Sequence, residues 1–183
     1  KLIKCDFSKE NELGIFLKKI KNIKFDKIIH LAAKPVELIR FTELNTKHFL
    51  TEYKISFFSI FKILQKTLPI MQERKGGDVI FVLSSGILEN KTTPYFTHYN
   101  CLKFQLLGLI KSLTIEYEKS DINFVSISPD IMDTKFLRNI DKRLLYLNKK
   151  NLKFLKIKKV LKKINKVLKN GKKFNGKNLP ILT

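Results

Sequence analysis

The run Val79-Ile80-Phe81-Val82-Leu83 is apolar at five consecutive positions. A strand built from it has no face to offer water, so it belongs inside a sheet covered on both sides. It ends in a serine pair, Ser84 and Ser85, and a loop containing Pro94 leads to a helical pattern opening near Thr97. Leu102, Leu106, Leu109, Ile110 and Leu113 carry that pattern toward Glu118, and a second apolar strand, Asn123 to Ser128, stops at Pro129. Strand, helix and strand in this order point to a parallel sheet.

The rest of the chain repeats the alternation. Leu2 to Cys5 reads as a short buried strand, and Asp6 and Ser8 supply caps for a helix from about Lys9 to Lys21. Leu13, Phe16, Leu17 and Ile20 recur there at helical spacing. Ile28 to Leu31 is the next buried strand. A long helix lies within Phe49 to Met71, with Ile55, Phe58, Ile60, Phe61 and Leu64 on its apolar flank and Pro69 near its end. Phe154 to Leu168 is amphipathic, with Ile157, Val160, Leu161, Ile164 and Leu168 inward and lysines outward, and Gly176 to Leu182 reads as a last strand. The expected fold is α/β, a doubly wound (Rossmann-like) parallel sheet with helices on both faces, forming one domain over residues 1–183.

Within the Thr97 helix, Tyr99 and Lys103 are four positions apart and share a face. They project above the carboxyl end of the preceding strand, where open α/β sheets bind ligands. A free phenol has a pKa of about 10, and bringing it near 7 takes ~4 kcal/mol. An ammonium ~4 Å away supplies ~4 kcal/mol at an effective dielectric near 20, less the cost of desolvating it. The pair is therefore of the right size to make Tyr99 a proton donor and acceptor, with Ser85 holding a substrate oxygen. Ser84 stands close behind Ser85, and Tyr95 is an alternative phenol if the helix begins earlier.

The ordered set of motifs resembles the short-chain dehydrogenase/reductase (SDR) family. Leu2-Ile3-Lys4-Cys5-Asp6 resembles its third strand, and Lys27-Ile28-Ile29-His30-Leu31-Ala32-Ala33 stands where the family has an Asn-Asn-Ala-Gly turn. Gly76-Gly77-Asp78 precedes the serine-bearing strand, and Ser128-Pro129-Asp130-Ile131-Met132-Asp133-Thr134 replaces a Pro-Gly-x-x-x-Thr segment. The resemblance implies hydride transfer between NAD or NADP and a carbonyl or secondary alcohol. It makes Ser85, Tyr99 and Lys103 catalytic. Asp6, Phe7, Leu31, Ala32 and Ala33 would line the adenosine side of the cofactor, joined by Tyr99 and Lys103, with Pro129, Asp130 and Thr134 toward the nicotinamide. It also implies a substrate loop over residues 135–152 and a homodimer or homotetramer joined through a four-helix seam.

Three departures accompany it. Ser56 stands where the family carries an asparagine that props the lysine through a water, Asp130 replaces a glycine, and His30 replaces an asparagine of structural role. No glycine-rich strand-turn-helix precedes Leu2, so the resemblance implies an N-terminally incomplete domain and a chain that is part of a longer one. A non-catalytic binding or structural subunit on the same fold is the alternative.

Composition narrows the partners. The net charge of +21 is uneven: from Lys142 onward there are 15 Lys or Arg and no Asp or Glu, against 22 and 16 before it. With lysine abundant throughout, the excess is read as compositional, and nucleic-acid binding is not expected. Two cysteines, Cys5 and Cys101, are too few for a disulfide framework and read as buried thiols of a cytoplasmic protein. No apolar run reaches a membrane span, and no metal ligands are assigned.

Overall fold

The computed structural model describes residues 2–89, 91–141, 143 and 153–183. Four parallel strands, β1 (Lys27–His30), β2 (Gly77–Val82), β3 (Ile122–Pro129) and β4 (Asn178–Ile181), lie in the order β1-β2-β3-β4. Ile29 pairs with Ile80, Val82 with Ile127 and Ser128 with Pro180, which aligns the carboxyl ends of the strands. The helices are α1 (Glu10–Ile20), α2 (Thr46–Tyr53), α3 (Ser59–Glu73), α4 (Thr97–Glu116), α5 (Ile157–Lys169) and the single turn α6 (Gly171–Phe174). A π turn over Lys54–Phe58 joins α2 to α3 without a break.

The side-chain alternation of β2 assigns the layers. Val79, Phe81 and Leu83 point to one face, where Ile60, Leu64, Leu68 and Met71 of α3 meet Leu106, Ile110 and Leu113 of α4. Ile80, with Val125 and Ile127 of β3, points to the other, against Val160, Ile164 and Val167 of α5. Each such aliphatic side chain taken out of water contributes about 1.5–3 kcal/mol before entropy is charged. The α/β class, the parallel sheet and the two covered faces follow the pattern of the sequence.

At the return from α3 into β2, Gly76 has φ +125°, and a Cβ there would run into the backbone oxygen of Asp121. Only glycine fits this turn.

Several local expectations are corrected. Leu2 to Cys5 is not a strand, and Leu2 is 96% exposed. In the strand order 3-2-1-4-5-6, a third strand pairs with the second rather than the fourth, and no such neighbour stands among the described residues. Among the described residues β1 is an edge strand, with Ile29 40% and Leu31 65% exposed. Asp6 does not cap α1 directly. Its carboxylate closes a turn, accepting from the Ser8 amide and hydroxyl at 3.0 and 2.7 Å. On α5, Ile157 and Leu161 face solvent and Val167 is fully buried, because the stripe at 160, 164 and 167 meets the sheet. Cys5 and Cys101 are free, but Cys101 is exposed and Cys5 only half-buried. Of the expected substrate loop, Lys135–Leu137 forms a 3-10 turn, while residues 142 and 144–152 lie outside the described residues.

Candidate active site

A cleft of about 300 Å³ opens over the carboxyl ends of β1, β2 and β3, and Ser85, Tyr99 and Lys103 all line it. Each is placed by its element. Ser84 ends the β2 run, and its hydroxyl accepts the Gly86 amide at 3.1 Å, folding Ser85–Ile87 into a 3-10 turn. That turn leaves Ser85 buried in the cleft wall, where its hydroxyl donates to Asp130 Oδ1 at 3.1 Å. Tyr99 sits in the first turn of α4, its ring against Phe96 and Phe136 at centroid distances of 6.2 and 5.7 Å. Lys103, one turn on and 5% exposed, donates from Nζ to the Val82 carbonyl at 3.1 Å. The same nitrogen lies 5.4 Å from the centroid of the Tyr99 ring.

Burial dominates the electrostatics of the pair. It pushes the Tyr99 phenol up to about 12, against a smaller lowering by the neighbouring Ser84 hydroxyl. It pulls the Lys103 ammonium down to about 8. The expectation that Lys103 draws the phenol toward neutrality is corrected here. The ammonium is held on a backbone carbonyl and over the ring, and a dry wall disfavours both charged forms. In this state the phenol holds its proton and can donate it to an oxygen placed in the cleft.

The remaining predicted residues divide in two. Leu31 and Ala33 line the β1 end of the cleft, and Pro129, Asp130 and Thr134 line the β3 end. Phe7 and Ala32 instead line a second hollow of about 430 Å³ along the unpaired edge of β1, which Leu31 also reaches. Asp6 lines neither. Tyr95, 42% exposed and at φ +68°, precedes the helix and stays outside the cleft, so Tyr99 is the phenol that faces it.

Between two of the three substituted positions the structure shows a direct link. His30 Nε2 lies 2.7 Å from the backbone carbonyl of Ser56, within the π turn. A carbonyl only accepts, so Nε2 carries the proton. Burial holds the His30 ring neutral, its pKa lowered to about 4.

Sequence reasoning missed three features. Asn100, buried beside Gly86, lines the cleft, and Lys91 and Thr93 stand in its wall. His48 and Glu52 of α2 and His98 of α4 come together without lining either hollow. The His48/Glu52 spacing on one helix was the available signal.

The model of the family described as short chain dehydrogenase matches residues 1–144. The chain belongs to the short-chain dehydrogenase family. Dehydrogenase/reductase SDR family member 4 of Homo sapiens is 38% identical over 71 residues, which cover 39% of this chain and 25% of that protein. The chain therefore matches about a quarter of that curated relative's length. Among solved structures, a 3-ketoacyl-(acyl-carrier-protein) reductase from Brucella melitensis complexed with NADH superposes with a TM-score of 0.82 at 17% identity. That match covers 98% of this chain and 76% of the reductase. ElxO with NADP bound gives a TM-score of 0.81 at 20% identity over 100% of this chain and 76% of its own. These likenesses show the fold.

As in open α/β sheets generally, the family cleft lies at the carboxyl ends of the strands. The residues present suit a dinucleotide. The cleft runs from small Ala33 across β2 to Thr134, and Lys103 carries three N–H groups with one bonded to Val82. Asp130, the bulkier replacement for glycine, is tied down by accepting from Ser85, the Ile131 amide at 3.0 Å and the Thr183 hydroxyl at 3.1 Å.

Proposed function

We propose that this chain is the catalytic part of an NAD(P)-dependent oxidoreductase acting on a carbonyl or secondary alcohol. The observation that carries the reading is the convergence of Ser85, Tyr99 and Lys103 on one cleft at the strand ends. NAD or NADP would supply or take the hydride. Tyr99 gives its proton to the carbonyl oxygen during reduction and recovers it during oxidation. Lys103 would use its remaining N–H groups to hold the cofactor and, while protonated, would favour the transient phenolate. Ser85 holds the reacting oxygen beside Tyr99. Leu31 and Ala33 would hold the adenosine side, and Pro129 and Thr134 the nicotinamide side. The apolar wall, with Val36, Leu38 and Phe136, keeps water from the reacting oxygen.

The outward apolar side chains of α4, Phe104 at 48% and Ile115 at 72% exposed, support a homo-oligomer joined through this helix. Among the described residues no helix is long and apolar enough to cross a membrane.

The test is Tyr99→Phe in the full-length protein. Loss of proton transfer is expected to lower kcat by ~10²–10⁴-fold, with saturable NADH or NADPH binding, followed by nicotinamide fluorescence, retained. Unchanged turnover would sink the assignment. Failure of the folded wild-type protein to bind either dinucleotide would favour a non-catalytic subunit.

A further inference from the structure

Two of the three histidines in the chain, His48 and His98, meet a buried carboxylate, Glu52, at the junction of α2 and α4. His48 and Glu52 are four apart on α2 and share a face, and His98 comes from the first turn of α4, next to Tyr99. Glu52 is 5% and His98 2% exposed. His48 Nε2 is 3.4 Å from Glu52 Oε1, and His98 Nε2 is 3.7 Å from Glu52 Oε2. These contacts lack hydrogen-bond geometry, leaving His48 Nε2, Glu52 Oε2 and both ring nitrogens of His98 buried without a partner among the described residues.

Buried polar groups are almost always hydrogen-bonded, and buried charges are paired or coordinate metals. Here a carboxylate oxygen and two imidazoles converge within 4.8 Å of one another. Zinc–nitrogen and zinc–oxygen bonds of about 2.0–2.2 Å at tetrahedral angles place neighbouring ligand atoms ~3.4 Å apart. The two histidine nitrogens lie 3.4 and 3.7 Å from Glu52, one on each carboxylate oxygen, and one ligand atom from each of the three residues falls within 4.8 Å of the others, so a small closure of the side chains brings them to that spacing. Two imidazoles and one carboxylate suit a zinc-class ion, whereas calcium takes ~6–8 oxygens and magnesium a near-ideal octahedral oxygen shell.

We propose that His48, Glu52 and His98 form a zinc-class divalent metal site that ties α2 to the first turn of α4. The side chain of His48 is 20% exposed and provides the entry path. The site lines neither hollow, so its role is positional: it fixes the turn that carries Tyr99.

Chelator-treated full-length protein is titrated with Zn²⁺ alone, in competition with a chromophoric chelator, and bound metal is counted after dialysis. One equivalent is expected, with the Tm rising as zinc is added. Co²⁺ should show visible d–d bands without a thiolate charge-transfer band. His48→Ala and Glu52→Gln should each weaken zinc by ~100-fold or more, beyond the ~10–100-fold that losing an outer hydrogen-bond partner costs. Cys5→Ser/Cys101→Ser should leave zinc binding unchanged. Because His98→Ala could loosen the helix start, the His48 and Glu52 variants decide, with circular dichroism confirming their fold. Absence of stoichiometric zinc, or zinc retained in both variants, or zinc lost with the two cysteines, would overturn the site.

Discussion

The carboxyl ends of β1 and β2 lie side by side, and they satisfy their buried polar groups differently. At β2 polar side chains are turned to open space: Ser85, Tyr99 and Lys103 line a cleft, and Lys103 spends one N–H on the Val82 carbonyl. At β1 a substituted position, His30, is silenced. Its ring donates to the Ser56 carbonyl and stays neutral in a buried site. That carbonyl belongs to the π turn over Lys54–Phe58. Both bases are depressed by burial, but only Lys103 lines the cleft, and only there, on the proposed mechanism, does a charge bear on a reaction.

The largest effect expected from that difference is in the rate. Lys103, pulled down to about 8, is an ammonium below that pH and a neutral amine above it. Its help to the developing phenolate is therefore present below about 8 and lost above it. Carbonyl reduction should show kcat/KM flat on the acid side and falling ~10-fold per pH unit beyond the break. Lys103→Arg, whose guanidinium keeps its charge at a pKa above ~12, should move the break out of this range. A break that persists in the variant would assign it to another group.

At β1 the effect is on stability instead. The folded pKa of His30, about 4, lies below the ordinary 6.5, so between these values the unfolded chain binds more protons. Stability then falls as the solution is acidified through this window, by up to about 3 kcal/mol from His30 alone. His30→Asn retains a donor for Ser56 and removes the titration. Urea midpoints at about pH 7 and pH 4.5 should fall further in the wild type than in the variant. Equal falls would mean that the ring is not held neutral.

These two ends were not equally legible in the sequence. The β2 end could be read because each constraint is local: five apolar residues make a doubly covered strand, and i,i+4 spacing sets Tyr99 beside Lys103. The edge position of β1 could not, since Ile28 and Ile29 read as interior whatever lies beside them. The charge state of the pair was misjudged because spacing gives proximity and not burial, and burial outweighed attraction. His98 escaped notice because its partners lie on another helix. The link from His30 to Ser56 ends on a backbone carbonyl, which no side chain in the sequence marks.

Asp130 stands across the cleft from this boundary, and the smallest effect is expected there. Ser85 has one hydroxyl proton, and it points to Asp130 Oδ1 at 3.1 Å. A hydroxyl proton given to Asp130 is not offered to a carbonyl oxygen, which is left with Tyr99 as its donor. A substrate alcohol, in contrast, can donate to the free lone pairs of Ser85. Asp130 therefore biases the site toward binding the alcohol. Asp130→Gly should return the serine proton to the cleft and raise kcat/KM for reduction about fivefold, the worth of one net hydrogen bond of ~1 kcal/mol. Oxidation should not gain. The change must vanish in a Ser85→Ala background if it runs through that hydroxyl, and a double-mutant cycle measures this coupling directly. An equal gain with and without Ser85 would place the effect in the bulk or charge of Asp130 itself, and the two strand ends would then differ by shape rather than by proton placement.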